Sequence, residues 1–130
     1  MNDRILASIA PSLILFSQAR DDPWRMIDWT HIGRLEDDLG VEEVSALVPV
    51  FLEEVENAIQ PLRDGGAPTE MALHFLKGCA VTLGFCELAQ RAGEGEDQLK
   101  QNEKSLPDTE EIILAYTRER EELLAKFRQQ

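Results

Sequence analysis

The chain has 130 residues, with 25 acidic against 13 basic side chains and a formal net charge of -12. That length suits a single domain able to bury a core without disulfides or a metal, and the acidic balance removes the basic face that a nucleic-acid partner requires. No apolar run reaches the ~18 residues that span a bilayer, so neither nucleic acid nor membrane is expected among the partners.

The N-terminal run Ile5 to Phe16 reads I-L-A-S-I-A-P-S-L-I-L-F. Pro11 interrupts it, so it is expected to form one broken helix or two short turns. The run resembles the apolar core of a signal peptide, but only Arg4, offset by Asp3, supplies positive charge, and Ser17-Gln18-Ala19 is a poor cleavage site. Residues 1–25 are therefore read as an apolar helical extension packing on the main domain, residues 26–130. Asp21-Asp22-Pro23 is a turn signal between the two.

Asp28 or Thr30 can cap a short helix through Leu39, with Ile32, Leu35 and Leu39 on one stripe and Gly40 as its stop. From Val41 to Arg63, apolar residues recur at Val44, Leu47, Val48, Phe51, Val55, Ile59 and Leu62, a helical period held for about six turns. Pro49 removes a backbone donor inside it and crowds the preceding turn, which predicts a kink near Ser45-Ala46. Pro61, Gly65, Gly66 and Pro68 are expected to end this helix and form the linker to the next.

Thr69 is placed to cap a helix that ends near Gly84. Wound at about 100° per residue, it carries Ala72, Leu76, Cys79, Ala80 and Leu83 on one side. Glu70, Met71, His74, Lys77, Gly78, Val81 and Phe85 fall on the other. His74 thus faces away from the apolar stripe, where an imidazole is either an ordinary surface group or a reactive one. Lys77, one turn on, can reach an anion attached to the ring. Gly78 costs about 1 kcal/mol relative to alanine inside a helix, and a missing side chain beside an exposed imidazole opens the approach to it.

Phe85 to Lys104 reads as a further helix with Leu88, Ala89, Ala92 and Leu99 on its apolar side, and Gly93 and Gly95 predict an irregular middle. Ser105-Leu106-Pro107-Asp108 is a helix start, followed by Ile112, Ile113, Tyr116, Leu123, Leu124 and Phe127 on one face and a solvated charged face. Cys79 and Cys86, read as seven residues apart on the same predicted helix, are expected ~10 Å apart and cannot pair within the ~7 Å that a disulfide allows. They read as small buried thiols suited to a reducing cytoplasm. Helices of these lengths with short connections imply an all-α fold, an antiparallel up-and-down four-helix bundle with an additional N-terminal helical segment.

The run His74-Phe75-Leu76-Lys77-Gly78, followed by Cys79, Ala80, Gly84 and Leu88, resembles the signature of histidine-containing phosphotransfer (HPt) domains. Ile27-Asp28, Leu35, Gly40, Leu47, Phe51, Leu52, Glu53 and Leu62 are similar to the same family's first half, so the resemblance covers roughly Met26 to Leu99. It implies the same bundle fold and a phosphocarrier in a two-component multistep phosphorelay. His74 would exchange a phosphoryl group with the aspartate of a response-regulator receiver domain, through the ring nitrogen farther from the backbone.

On that resemblance Lys77 stabilises the phosphoryl oxygens and Gly78 gives access; Glu70, Met71, Val81 and Phe85, sharing the His74 face, are expected to form the docking surface, the alternative for each being packing against the N-terminal segment. The partners are a receiver domain and/or a hybrid sensor kinase. No cofactor is expected in this chain, the Mg²⁺ residing in the receiver, and a monomer is expected. An alternative is a helical interaction module that binds a receiver or kinase on the same face without carrying phosphate. A weaker one is a regulatory protein dimerising through its N-terminal segment and last helix.

Other chemistries find no support in the pattern. Two histidines and two cysteines give no metal-ligand spacing, and neither a Gly-rich phosphate loop nor a recognisable nucleophile motif is present. With no nucleotide site, autokinase activity is not expected. His31 has Arg34 three residues on, but Gly33 is at the wrong offset to open its ring, so it reads as a surface or packing residue.

Overall fold

Chain breaks in this protein fall where the backbone must adopt a left-handed conformation or a helix needs a cap. The computed structural model describes residues 27–128, which form five helices. Helix α1 spans Trp29–Leu39, and its first turn is capped by Asp28, whose Oδ1 accepts the His31 N–H at 3.0 Å. Gly40, at φ 96°, ends it and begins α2, Val41–Arg63, with no linker between them. A side chain is disfavoured at that φ, which is why glycine sits there.

Helix α2 runs uninterrupted through Pro49 and Pro61. Each proline removes one intrahelical donor, yet Pro49 does not divide the helix, and Pro61, expected to end it, lies within its last turn. The burial of Val44, Leu52, Val55, Ile59 and Leu62 along one face holds it in place.

Helix α3, Glu70–Leu83, begins at Thr69, whose Oγ1 accepts the Ala72 N–H at 3.1 Å. It ends at Gly84, φ 75°, with Gly84 N–H donating to Val81 O and Phe85 N–H donating to Ala80 O at 2.8 Å. That paired closure turns the chain sharply into α4, Cys86–Gln101. Phe85 has no side-chain oxygen to cap α4, and Glu119 does so from another helix. Its two carboxyl oxygens accept the N–H of Glu87 at 3.1 Å and of Leu88 at 2.8 Å. Helix α5, Thr109–Arg128, starts with Asp108 Oδ1 accepting the Glu111 N–H.

Helices α2, α3, α4 and α5 pack in ring order, with α5 closing back on α2, and α1 lies against α2. This is the all-helical bundle that the apolar periodicity predicts, with no strand among the described residues beyond one isolated bridge, Ile27 to Phe85. Val55, Ile59, Leu73, Leu76, Leu88, Ile112, Tyr116 and Leu123 are fully buried at its centre. The expected N-terminal extension, residues 1–25, lies outside the described residues.

The expected irregularity in α4 is not found, because its glycines serve the α3–α4 contact. A Cβ on Gly95 would stand 2.8 Å from Leu73 Cδ1 and 3.3 Å from Pro107 Cβ, and Gly93 lies under the Lys77 side chain. Both are buried and let the two helices approach closely. Cys79 and Cys86 are free and buried, and burial with the nearby Glu54 charge pushes the Cys79 thiol up to about 11.

Candidate functional site

The α3–α4 seam brings together His74, Lys77, Glu96 and Lys100. His74, on the second turn of α3, stands outward with its side chain 75% exposed. Its Nδ1 lies 2.8 Å from Oε2 of Glu96 on α4. An ionised carboxylate only accepts, so Nδ1 carries the proton and donates, and Nε2 is left with its lone pair facing solvent.

Glu96 is 3% exposed, and burial of that kind pushes its carboxyl up. The hydrogen bond from His74, together with the charges of Lys100 and Lys77, more than offsets it and holds the group below the usual glutamate range. Lys100 Nζ lies 3.5 Å from the same Oε2. The carboxylate is thus ionised and fixed, as a group that orients a ring must be.

Lys77 sits one turn beyond His74. Its Cδ and Cε would lie 3.5 and 3.6 Å from a Cβ on Gly93, so its stem crosses the bare surface of α4 and brings its amine into the same seam. Gly78 follows, and a Cβ there would meet nothing within 4 Å. Nothing among the described residues requires that glycine, and Thr82 Oγ1 donates to its carbonyl at 3.0 Å without filling the space. Met71, 82% exposed, and Phe75, 44% exposed, form an apolar pair flanking His74, with Glu70 exposed at the helix start.

Two residues expected on that surface are not there. Val81 is 6% exposed and Phe85 fully buried, both in the main core. Val81 shares the angular position of His74, but the lower half of α3 is covered by residues 27–32. Asp28 N–H donates to Gly84 O at 2.7 Å, and His31 Nε2 donates to Thr82 O at 2.7 Å. Phe85 lies past the Gly84 turn, where a helical wheel no longer applies, and pairs with Ile27. His31, buried at 3% exposure, is the packing residue rather than the surface one, and burial lowers its pKa.

The sequence reading gives no site role to Glu96, Gly93, Lys100 or Phe75. A signal for Glu96 exists: it stands four residues after Ala92 and three before Leu99, on the buried stripe of α4, where a carboxylate requires a partner. Among the described residues, no group of three or more His, Cys, Asp or Glu could hold a metal ion, and no described helix is long and apolar enough to cross a membrane.

The model of the Hpt domain matches residues 30–130. The chain belongs to the Hpt domain family. Hpt domains serve phosphotransfer in phosphorelays and interact there with receiver and kinase partners. The match extends the likeness beyond Leu99 to the C-terminus, so α4 and α5 are parts of the Hpt domain and the helix that carries Glu96 belongs to it throughout. No curated protein and no solved structure gives a significant match to the chain.

Proposed function

We propose that this Hpt domain is a phosphocarrier of a two-component multistep phosphorelay, and that His74 Nε2 is the atom phosphorylated. The observation that carries this reading is the Nδ1–Glu96 hydrogen bond on a ring 75% exposed, which fixes the tautomer and leaves Nε2 free. The phosphoryl donor is the aspartyl phosphate of a receiver domain. The Nε2 lone pair attacks phosphorus, the N–P bond forms, and the P–O bond to the aspartate breaks, the carboxylate leaving with the electron pair. The ring becomes positive with its proton still on Nδ1 and hydrogen-bonded to Glu96, whose negative charge balances it. The reverse transfer follows the same path.

Lys77 meets the phosphoryl oxygens in this scheme, and Gly78 admits the donor loop. Glu70, Met71 and Phe75 meet the receiver, which supplies the Mg²⁺ for in-line transfer. A ring 75% exposed suits a macromolecular donor that brings its own catalytic groups. The chain acts as a monomer in this scheme.

Incubation with a phosphorylated receiver is expected to label the wild type with acid-labile, base-stable phosphate and to leave His74→Gln unlabelled. A pure binding module would retain receiver affinity and take up no label. Equal labelling of wild type and His74→Gln would refute the assignment.

A further inference from the structure

Glu96 orients His74 only while its carboxyl is ionised, and burial works against that. The side chain is 4% exposed, which favours the neutral acid. A neutral His74 ring donating through Nδ1 brings a hydrogen bond but no full charge. The charge comes from two lysines that stand on opposite sides of the pair along the seam. Lys77 of α3 crosses Gly93, one turn before Glu96, and Lys100 of α4 lies one turn after it. The His74 ring, Lys77 and Lys100 are the groups that keep Glu96 ionised. Of the two lysines, Lys100 is the one paired with it. Its Nζ lies 3.5 Å from Oε2, the same oxygen that accepts from His74 Nδ1 at 2.8 Å.

A lysine at position 100 has two ordinary uses. It lies in the last turn of α4, where a cation meets the negative end of the helix dipole, and it follows a glutamate by four residues, the favoured order for a pair on a helix. A carboxylate in solvent would serve both. Neither explains why Lys100, itself half-exposed, reaches a carboxylate that is nearly sealed and already bonded to an exposed ring.

His74 and Glu96 share a proton and titrate as one pair. In the resting pair the carboxylate is bare and the ring holds one proton, on Nδ1. A second proton taken up by the pair ends on Nε2, whether the inner proton then rests on nitrogen or on oxygen, since a neutral ring that accepts through Nδ1 carries its own proton on Nε2. Either way the Nε2 lone pair is gone. A positive charge 3.5 Å from Oε2 opposes that second proton. We propose that Lys100 is a positioning residue for transfer: seated on the oxygen that holds Nδ1, it keeps Nε2 unprotonated. This role in transfer rests on the phosphocarrier reading, whereas the state of Nε2 is read on the unphosphorylated chain with no receiver present.

Nuclear magnetic resonance of the full-length chain with nitrogen-15 in its histidines, recorded from about pH 5 to 8, shows the pH at which Nε2 of His74 gains its proton. Lys100→Met keeps the stem and removes the charge. It is expected to move that pH upward, and to move the acid limb of the transfer rate from a receiver with it. On that limb transfer is expected to fall roughly 5-fold, the scale of a half-exposed ion pair. Lys100→Arg is expected to restore both, and Lys104→Met, which removes another exposed charge, to leave both in place. In a Glu96→Gln chain, Lys100→Met is expected to move neither. An Nε2 titration unchanged in Lys100→Met, with or without a loss of thermal stability, overturns the proposal and leaves a helix-end lysine. An equal shift in the Glu96→Gln background, or in Lys104→Met, overturns it in favour of an unspecific charge effect. Failure of the phosphocarrier reading shows itself separately, as a wild type that takes no label while the Nε2 titration still responds to Lys100→Met.

Discussion

Replacing Gly78 with alanine separates two explanations of a glycine in mid-helix. If packing within the chain required it, an added methyl would clash. Among the described residues the position is open, with no atom beyond its own turn of helix within 4 Å of a built Cβ and no positive φ. Gly78→Ala is therefore expected to stabilise the fold by about 1 kcal/mol through helix propensity, a rise in melting temperature of about 4–8 °C for a domain of this size. The same position faces the approach to His74 Nε2, where a receiver loop must come close. Gly78→Gln is expected to slow phosphotransfer from a receiver about 10- to 100-fold, corresponding to the ~1–3 kcal/mol of an overpacked contact. Thermal denaturation and a time course of label transfer read the two effects separately. A destabilised alanine variant, or a glutamine variant that transfers at the wild-type rate, would refute the access argument.

Glu96→Ala removes the acceptor that holds His74 Nδ1, and transfer is expected to fall about 10- to 100-fold, on the scale of a charged hydrogen bond. Glu96→Gln, which can still accept through its amide oxygen, is expected to recover part of that loss in the same rate assay. Gly95→Ala forces a methyl against Leu73 and Pro107 and is expected to cost about 1–3 kcal/mol in denaturant unfolding. The pH dependence of stability has two limbs. Burial raises the Glu119 carboxyl to about 9, so the folded chain holds a proton that the unfolded chain releases above about 4.5, and stability falls as pH rises toward 9. Burial lowers the His31 pKa, so its contribution is present above about 6.5 and is lost as pH falls below that. Unfolding measured from pH 5 to 9 is expected to show an alkaline decline that Glu119→Gln flattens.

Much of this protein is legible in its sequence because local rules govern it. Thr69, Gly84, Asp28 and Gly40 mark helix ends by chemistry that acts within four residues, and the outward position of His74 follows from angle alone. What sequence reading missed depends on neighbours distant in the chain. Val81 has the angular position of His74, but α1 and Asp28 cover that end of α3, and a wheel carries no information on which length of a face is covered. Gly93 and Gly95 look like weak points until the Lys77 stem and Leu73 are seen against them. Glu96 reads as one more acid in the run E-G-E-D, and only its register with Ala92 and Leu99 separates it from the solvated ones. Glu119 likewise hides in a charged stretch, though it is the cap that α4 lacks locally.

Nuclear magnetic resonance of the phosphorylated chain, with nitrogen-15 in its histidines, tests the central claim most directly, because coupling to phosphorus identifies the bonded atom. The account predicts a single phosphorus–nitrogen bond at Nε2 of His74, with the Nδ1 proton retained. Phosphorus on Nδ1 of His74, on His31, or on no histidine would contradict it.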